Sequence, residues 1–259
     1  MNAVKINRMV LTLCGLFSLL VVVVPTGVAH AVAGAQSAAT LAVDPFNDPR
    51  ATVNRATTEA IAMVTSQTNF IINSTQRSTW EDVLVESSIT DTTYNSSTTT
   101  ADSTGATVSQ LSLALAEGMG SYSANAQTLH DVDFLVTQGG DLLASAVYDV
   151  LLQVYADQST ESASGYLLAG IYLRNLTQLT EASDVVELSY STTTFPEQYF
   201  VSLQGSLSKT LAFATGDYGS FRVIVDGSAN ATSVPEPSTL ALVGFGLVGV
   251  ALLRKRSRN

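Results

Sequence analysis

One pattern constrains this chain more than any other: over most of its middle, apolar side chains recur at every second residue in one short run after another. Val83, Val85 and Ile89 are interleaved with Asp82, Glu86 and Ser88, and Leu111, Leu113 and Leu115 with Ser112, Ala114 and Ala116. The period returns at Tyr148, Val150, Leu152 and Val154, at Val186, Leu188 and Tyr190, at Tyr199, Val201 and Leu203, at Leu211 and Phe213, and at Phe221, Val223 and Val225. Successive side chains of a strand point to opposite faces, so a period of two marks half-buried strands. Turn residues lie between the runs. Gly139-Gly140 and Gly216-Asp217-Tyr218-Gly219 are placed where tight hairpins need positive φ angles. Many short alternating strands with such punctuation predict an antiparallel β-sandwich.

Two stretches depart from the pattern. Between Asp44 and Ser66 the period changes: Asp48-Pro49 fits a capped helix start, and Val53, Thr57, Ala60, Ile61 and Val64 form an apolar stripe at helical spacing. This predicts a short N-terminal helix lying on the sheet. Between Ser87 and Thr107, 13 of 21 residues are Ser or Thr. Such a segment has little to bury, and exposed strand or loop is the reading that suits threonine on a pleated surface.

Both termini read as targeting segments. Lys5 and Arg8 precede an uncharged apolar run from Met9 to Val24, then Pro25 and small residues, which is the three-part layout of a secretory signal peptide. Two small-x-small cleavage sites fit, ending at Ala31 and at Ala33. The only cysteine, Cys14, lies inside that run. The exported chain is therefore expected to have no disulfide, thiol or iron–sulfur chemistry. At the other end, Ser238 to Leu253 carries no charge. As a helix it would span about 24 Å, short of a bilayer core but within reach of one that thins. Arg254, Lys255, Arg256 and Arg258 follow it and would stay on the cytoplasmic side. Gly244, Gly246 and Gly249 spell G-x-G-x-x-G, but no strand precedes them and no acid follows, so this is not a dinucleotide site.

Charge excludes further classes. Asp44 to Glu236 holds all 22 acidic residues and only six basic ones, leaving it 16 charges negative. Such a surface repels phosphate backbones, so nucleic acid is not an expected partner. The chemistry-bearing residues are sparse. His130 is the one histidine past the signal segment, no G-x-S-x-G occurs, and Asp131 would point away from it on a strand. His130 reads as a surface or packing residue, and no catalytic residue is assigned. Asp131 and Asp133 share a face, as paired carboxylates for glycoside hydrolysis would, but acids are too abundant here for this to be specific. Asp131, Asp133, Asp217 and Asp226 could meet a calcium ion at strand ends, though solvated aspartates are the plainer reading, and no metal or cofactor is assigned. Asn73, Asn95, Asn175 and Asn230 head N-x-S/T sequons, and Trp80 alone cannot outline a sugar platform.

The C-terminal residues carry a resemblance. Val234-Pro235-Glu236-Pro237-Ser238, a glycine-containing apolar helix and a terminal Arg/Lys cluster together resemble the PEP-CTERM sorting signal. Tails of this kind are also labelled ice-binding protein C-terminal domains, a label that by itself says nothing about ice. The resemblance implies recognition of Pro235, Glu236 and Pro237 by exosortase, a membrane-embedded cysteine protease/transpeptidase, with cleavage near that motif. It also implies transit through the inner membrane on the C-terminal helix, then transfer to the cell surface or to exopolysaccharide. Proline on both sides of Glu236 keeps the backbone extended, as protease substrates are.

The expected organisation is a signal peptide over 1–33, a loop and helix over 34–66, a Ser/Thr-rich acidic β-sandwich over 67–233, and a sorting and anchor segment over 234–259. The expected function is that of a non-enzymatic structural or adhesive protein of the envelope or extracellular matrix, with a carbohydrate- or ice-binding module as the alternative and a glycosidase behind both.

Overall fold

A computed structural model describes residues 32–43, 48–77, 83–92, 95–104, 107–117, 120–159, 161–192 and 194–234. Of the expected signal peptide over 1–33, residues 1–31 lie outside the described residues while Val32 and Ala33 belong to a strand, and the expected membrane helix from Ser238 to Leu253 also lies outside them. Those described form twelve strands and no helix: β1 (Val32–Val43), β2 (Ala51–Thr65), β3 (Phe70–Arg77), β4 (Val83–Thr92), β5 (Asn95–Thr104), β6 (Thr107–Glu117), β7 (Gly120–Val136), β8 (Gly140–Ala156), β9 (Glu161–Asn175), β10 (Thr180–Ser191), β11 (Glu197–Phe213) and β12 (Tyr218–Ser233).

They build two antiparallel six-stranded sheets, β11-β8-β1-β6-β5-β4 and β10-β9-β12-β7-β2-β3, called here the first and second sheet. The sheets are superposed strand for strand: β11 meets β10, β8 meets β9, β1 meets β12, β6 meets β7, and β4 meets β2 and β3. This is the predicted sandwich. The Ser/Thr-rich segment is strand, with β4, β5 and β6 running as successive antiparallel neighbours.

The predicted N-terminal helix is not formed, and the sandwich does not start at residue 67. β2 carries Val53, Thr57, Ala60, Ile61 and Val64, pairing with β7 on one side and β3 on the other. Its buried residues are Thr58, Ala60, Ala62 and Val64, a period of two that the helical stripe concealed because Ala60 and Val64 fit both periods. β1 is also integral to the fold, lying between β6 and β8. A short segment with mixed periodicity takes the form that completes its neighbours' hydrogen bonds, and here both neighbours are strands.

The two glycine turns are not hairpins. Each joins strands of different sheets: β7 to β8 at Gly139-Gly140, and β11 to β12 at Gly216. Gly140 and Gly216 do take positive φ values of 147° and 90°, so the turn demand was real. Turn chemistry sets the local bend, while the sheet that receives the next strand is chosen by which side chains need covering. The two arches are laced together by Gly216 N–H to Val136 O (2.8 Å), Val136 N–H to Asp217 O (2.9 Å) and Gly139 N–H to Thr215 Oγ1 (2.9 Å).

Between the sheets the interior is graded. Phe134, Phe213, Phe221, Leu142, Leu167, Ile171 and Leu173 fill the end nearest these arches, with Phe134 and Phe213 tilted at 59° and 5.5 Å between centroids. Ala33, Ala35, Ala114, Ala116, Ala163, Ala229 and Ala231 line the other end around Tyr122, Leu152 and Val154. A buried polar seam lies in the interior as well. Ser112 Oγ donates to Gly227 O (3.1 Å), Thr128 Oγ1 to Ser109 O (3.0 Å) and Ser87 Oγ to Ala62 O (3.0 Å). Satisfied inward-facing polar groups penalise a slip of register, which would leave them unpaired.

Candidate functional site

The sorting segment leaves the sandwich from a strand paired on both sides. At the end of β12, Ser233 pairs with Gly120 of β7 and with Glu161 of β9, and it is buried. Val234 is half exposed, at 48 %, and is the one described residue between the strand and Pro235. Beside it, Glu161 is buried, and its Oε2 accepts the N–H groups of Asp157 (2.7 Å) and Gln158 (3.0 Å), tying the β8–β9 connection to this end. Val32, the first residue of β1, pairs with Glu117 at the same end. Both termini of the sandwich thus leave from its alanine-lined end. Ala33 lies within β1 and is fully buried, while Ala31, Pro235, Glu236, Pro237, Ser238, Leu253, Arg254, Lys255, Arg256 and Arg258 lie outside the described residues.

The candidate acids and the histidine are spread over the fold. His130 points inward, 1 % exposed, with Nδ1 3.3 Å from Thr58 Oγ1, and loss of hydration pushes its pKa down to about 4. His130 is therefore a packing residue. Asp131, its neighbour on β7, points outward as strand geometry requires and takes a two-pronged ion pair from Arg222, with Nε to Oδ1 and Nη2 to Oδ2 both 2.8 Å. Asp133 shares that face and pairs in register with Ser220 and Arg55. Asp217 is at the opposite end from the sorting segment. Its Oδ2 accepts Ala214 N–H (2.8 Å), Asn175 Nδ2 (2.7 Å) and Gln178 Nε2 (2.9 Å), and these donors, the Ala214 N–H foremost, hold its pKa below the usual carboxylate range. Asp226 is on the outer face of the second sheet. The fold does not bring Asp131, Asp133, Asp217 and Asp226 to one point, and no group of three or more potential metal ligands occurs among the described residues.

The sequons divide by burial. Asn175 is buried, with its amide on Asp217 and its carbonyl accepting Thr177 and Gln178 N–H, so it closes the β9–β10 turn. Asn73 Nδ2 is engaged by Glu86 O (2.6 Å) and Ser87 Oγ (3.0 Å), and Asn230 Nδ2 lies 3.3 Å from Ser164 Oγ. Trp80 lies outside the described residues.

The residues that sequence reasoning missed lie on the outer face of the second sheet. Tyr166, Leu168 and Tyr172 alternate along β9 and are half-buried on that face. Leu168 stands in register with Asp226 of β12 and Glu187 of β10, and Tyr172 with Arg222. Burial raises the pKa of Asp226, and burial with the neighbouring Glu187 and Asp226 carboxylates raises that of Tyr166. The result is a broad face of aromatic rings among carboxylates, amides and hydroxyls. The signal was present in the alternation of "SGYLLAGIYLRN", but every other position there is also apolar, because the inner face needs Leu167, Ala169, Ile171 and Leu173.

Comparison with known families gives one match, the PEP-CTERM protein-sorting motif, over residues 233–256. It begins at the last residue of β12 and covers the Pro-Glu-Pro element, the apolar run and the first three of the four basic residues, Arg254, Lys255 and Arg256. The motif implies an exported protein that exosortase processes, passing through the membrane before surface display. No curated protein and no solved structure matches the chain.

Proposed function

We propose that the chain is a structural or adhesive component of an exopolysaccharide-associated envelope, in which the sandwich is the cargo and the tail its address. The observation that carries this reading is the junction: the sorting motif starts on Ser233, inside a core strand, with no spacer domain between address and body. Processing near Pro235, Glu236 and Pro237 then releases a body with its last strand intact and its acidic surface freed from the basic tail. Cleavage of the leader after Ala31 suits the same body, since it leaves β1 whole, whereas cleavage after Ala33 would remove a fully buried residue from it.

Mass spectrometry of the protein recovered from its host tests this reading. The expected mature chain begins at Val32 and ends within a few residues of Pro237, and Glu236→Ala or deletion of 234–259 abolishes that C-terminal processing while the strand content by circular dichroism stays unchanged. Identical processing and location without the tail would refute the sorting reading. A second reading, a carbohydrate-binding module, is favoured by Tyr166 and Tyr172 among Asp226, Glu187 and Arg222 on one open face. Stacking of rings on sugar faces with flanking polar groups is the chemistry such modules use. A glycan array comparing the full chain with Tyr166→Ala and Tyr172→Ala variants distinguishes it from a purely structural role.

A further inference from the structure

The four edge strands of the sandwich are not equally protected. The first sheet ends at β4 and β11, the second at β3 and β10. Edge strands offer unpaired N–H and C=O groups to any passing strand, and proteins usually guard them with charge, proline or bulges. β10 carries Glu181, Asp184 and Glu187, β4 carries Glu86 and Asp91, and β11 carries Glu197 and Lys209. β3, "FIINSTQR", has no acid, no proline and no glycine, its one charge is Arg77 at its last position, and its register with β2 runs from Phe70 to Arg77 without a bulge. It also shows apolar side chains to solvent, with Phe70 60 %, Ile71 38 % and Ile72 55 % exposed.

We propose that β3 is the edge on which a second copy of this chain docks, two β3 strands pairing antiparallel so that the second sheet continues from one molecule into the next. A strand that pairs with itself about a two-fold axis is self-complementary by construction. Charge distinguishes the edges. The span from Asp44 to Glu236 is 16 charges negative, and pairing through β10 or β4 would set carboxylates against carboxylates. β3 has no carboxylate of its own, so two such molecules pair along it without that repulsion, and its Phe70 and Ile72 on the outward face gain cover as the backbone groups pair. The inward side of β3 is already secured, because Asn73 donates to Glu86 O and Ser87 Oγ of β4. This inference is independent of the sorting and envelope reading, since it rests on the edge alone.

Sedimentation velocity over a concentration series tests it, using the full chain in mild detergent with reductant so that the C-terminal segment is the same in every sample. The wild type is expected to self-associate, and the Phe70→Lys/Ile72→Lys variant to raise the dissociation constant by at least about tenfold, because each copy brings positive charge to the pairing edge. Val185→Lys, at a 42 % exposed apolar position on β10, is expected to leave association unchanged. A wild type that stays monomeric throughout overturns the proposal, as does a β3 variant that keeps its strand circular dichroism and associates as tightly as the wild type. Should the double variant lose that signal, Ser74→Lys, on the same outward face, gives the same reading.

Discussion

The two ends of the sandwich are built differently. At the end far from the sorting motif, large side chains are interlocked beneath a lattice of turns: Phe134, Phe213, Phe221 and Leu173 in the core, with the buried Asp217 and Asn175 and the partly exposed Arg50 in the turns above them. Arg50 there pairs with Asp48 and donates to Asp141 O, while its own carbonyl accepts Thr137 and Gln138 N–H. At the end from which both termini leave, the sheets meet through alanines. The fold places its strongest side-chain interlocking away from the strand end that carries the sorting motif, so that loss of the tail removes no large core residue. Small facing residues let the sheets approach closely, and there stability comes from fit more than from bulk.

The comparison breaks most readily at Phe134. Phe134→Ala should destabilise the protein by about 3–5 kcal/mol in urea unfolding, because the ring is fully buried and its neighbours cannot close the space. A cost below that of enlarging an alanine at the other end would show that the two ends are equivalent after all. Next comes His130, which the fold holds neutral while the unfolded chain protonates near its ordinary pKa. Its contribution is therefore fully present above pH 6.5 and is lost as the pH falls toward about 4. The loss amounts to about 3 kcal/mol at the low-pH limit. His130→Gln should flatten that part of the stability profile relative to wild type, and an unchanged slope would contradict the neutral, buried state.

Enlarging the alanine-lined end sharpens the contrast from its other side. Ala231→Leu should cost about 1–3 kcal/mol by overpacking, with the loss of hydrogen-exchange protection confined to β12 and its neighbours. Asp217→Ala should cost a similar 1–3 kcal/mol or so, since it strands the Ala214, Asn175 and Gln178 donors, and its signature is faster exchange at the β9–β10 and β11–β12 turns. The smallest effect is expected for Asp131→Asn. Its pair with Arg222 is partly exposed, so stability should fall by less than about 1 kcal/mol, and the change should shrink in salt.

How much was legible depended on whether a residue's role was local. The alternation of Tyr148, Val150, Leu152 and Val154 marked β8, and the Pro-Glu-Pro element followed by apolar and basic residues marked the tail, because each signal lies within one short stretch. The strand β2 reads as helix from sequence because Ala60 and Val64 satisfy both periods while Ile61 fits only the helical one, and only β7 and β3 on either side resolve them. At β6 the alternation was plain but its sense was not: Ser112, Ala114 and Ala116 are the buried set, and Leu111, Leu113 and Leu115 lie on the outer face. Hydrophobicity alone would have chosen the leucines. The closely facing alanines of β1 and β12 leave no room for them inside.

Export, the sorting motif and an acidic body of antiparallel strands are legible in the sequence. These follow from periods, charges and short motifs, which act over neighbouring residues. Only the folded chain shows that β1 and β2 belong to the sandwich, that both ends of the sandwich's chain leave from one side, that the glycine turns cross between sheets, and that Tyr166, Tyr172, Asp226 and Arg222 share an outer face while β3, with no acid, is an edge strand. Those facts depend on which strands become neighbours, a choice made when all the inward faces are covered at once.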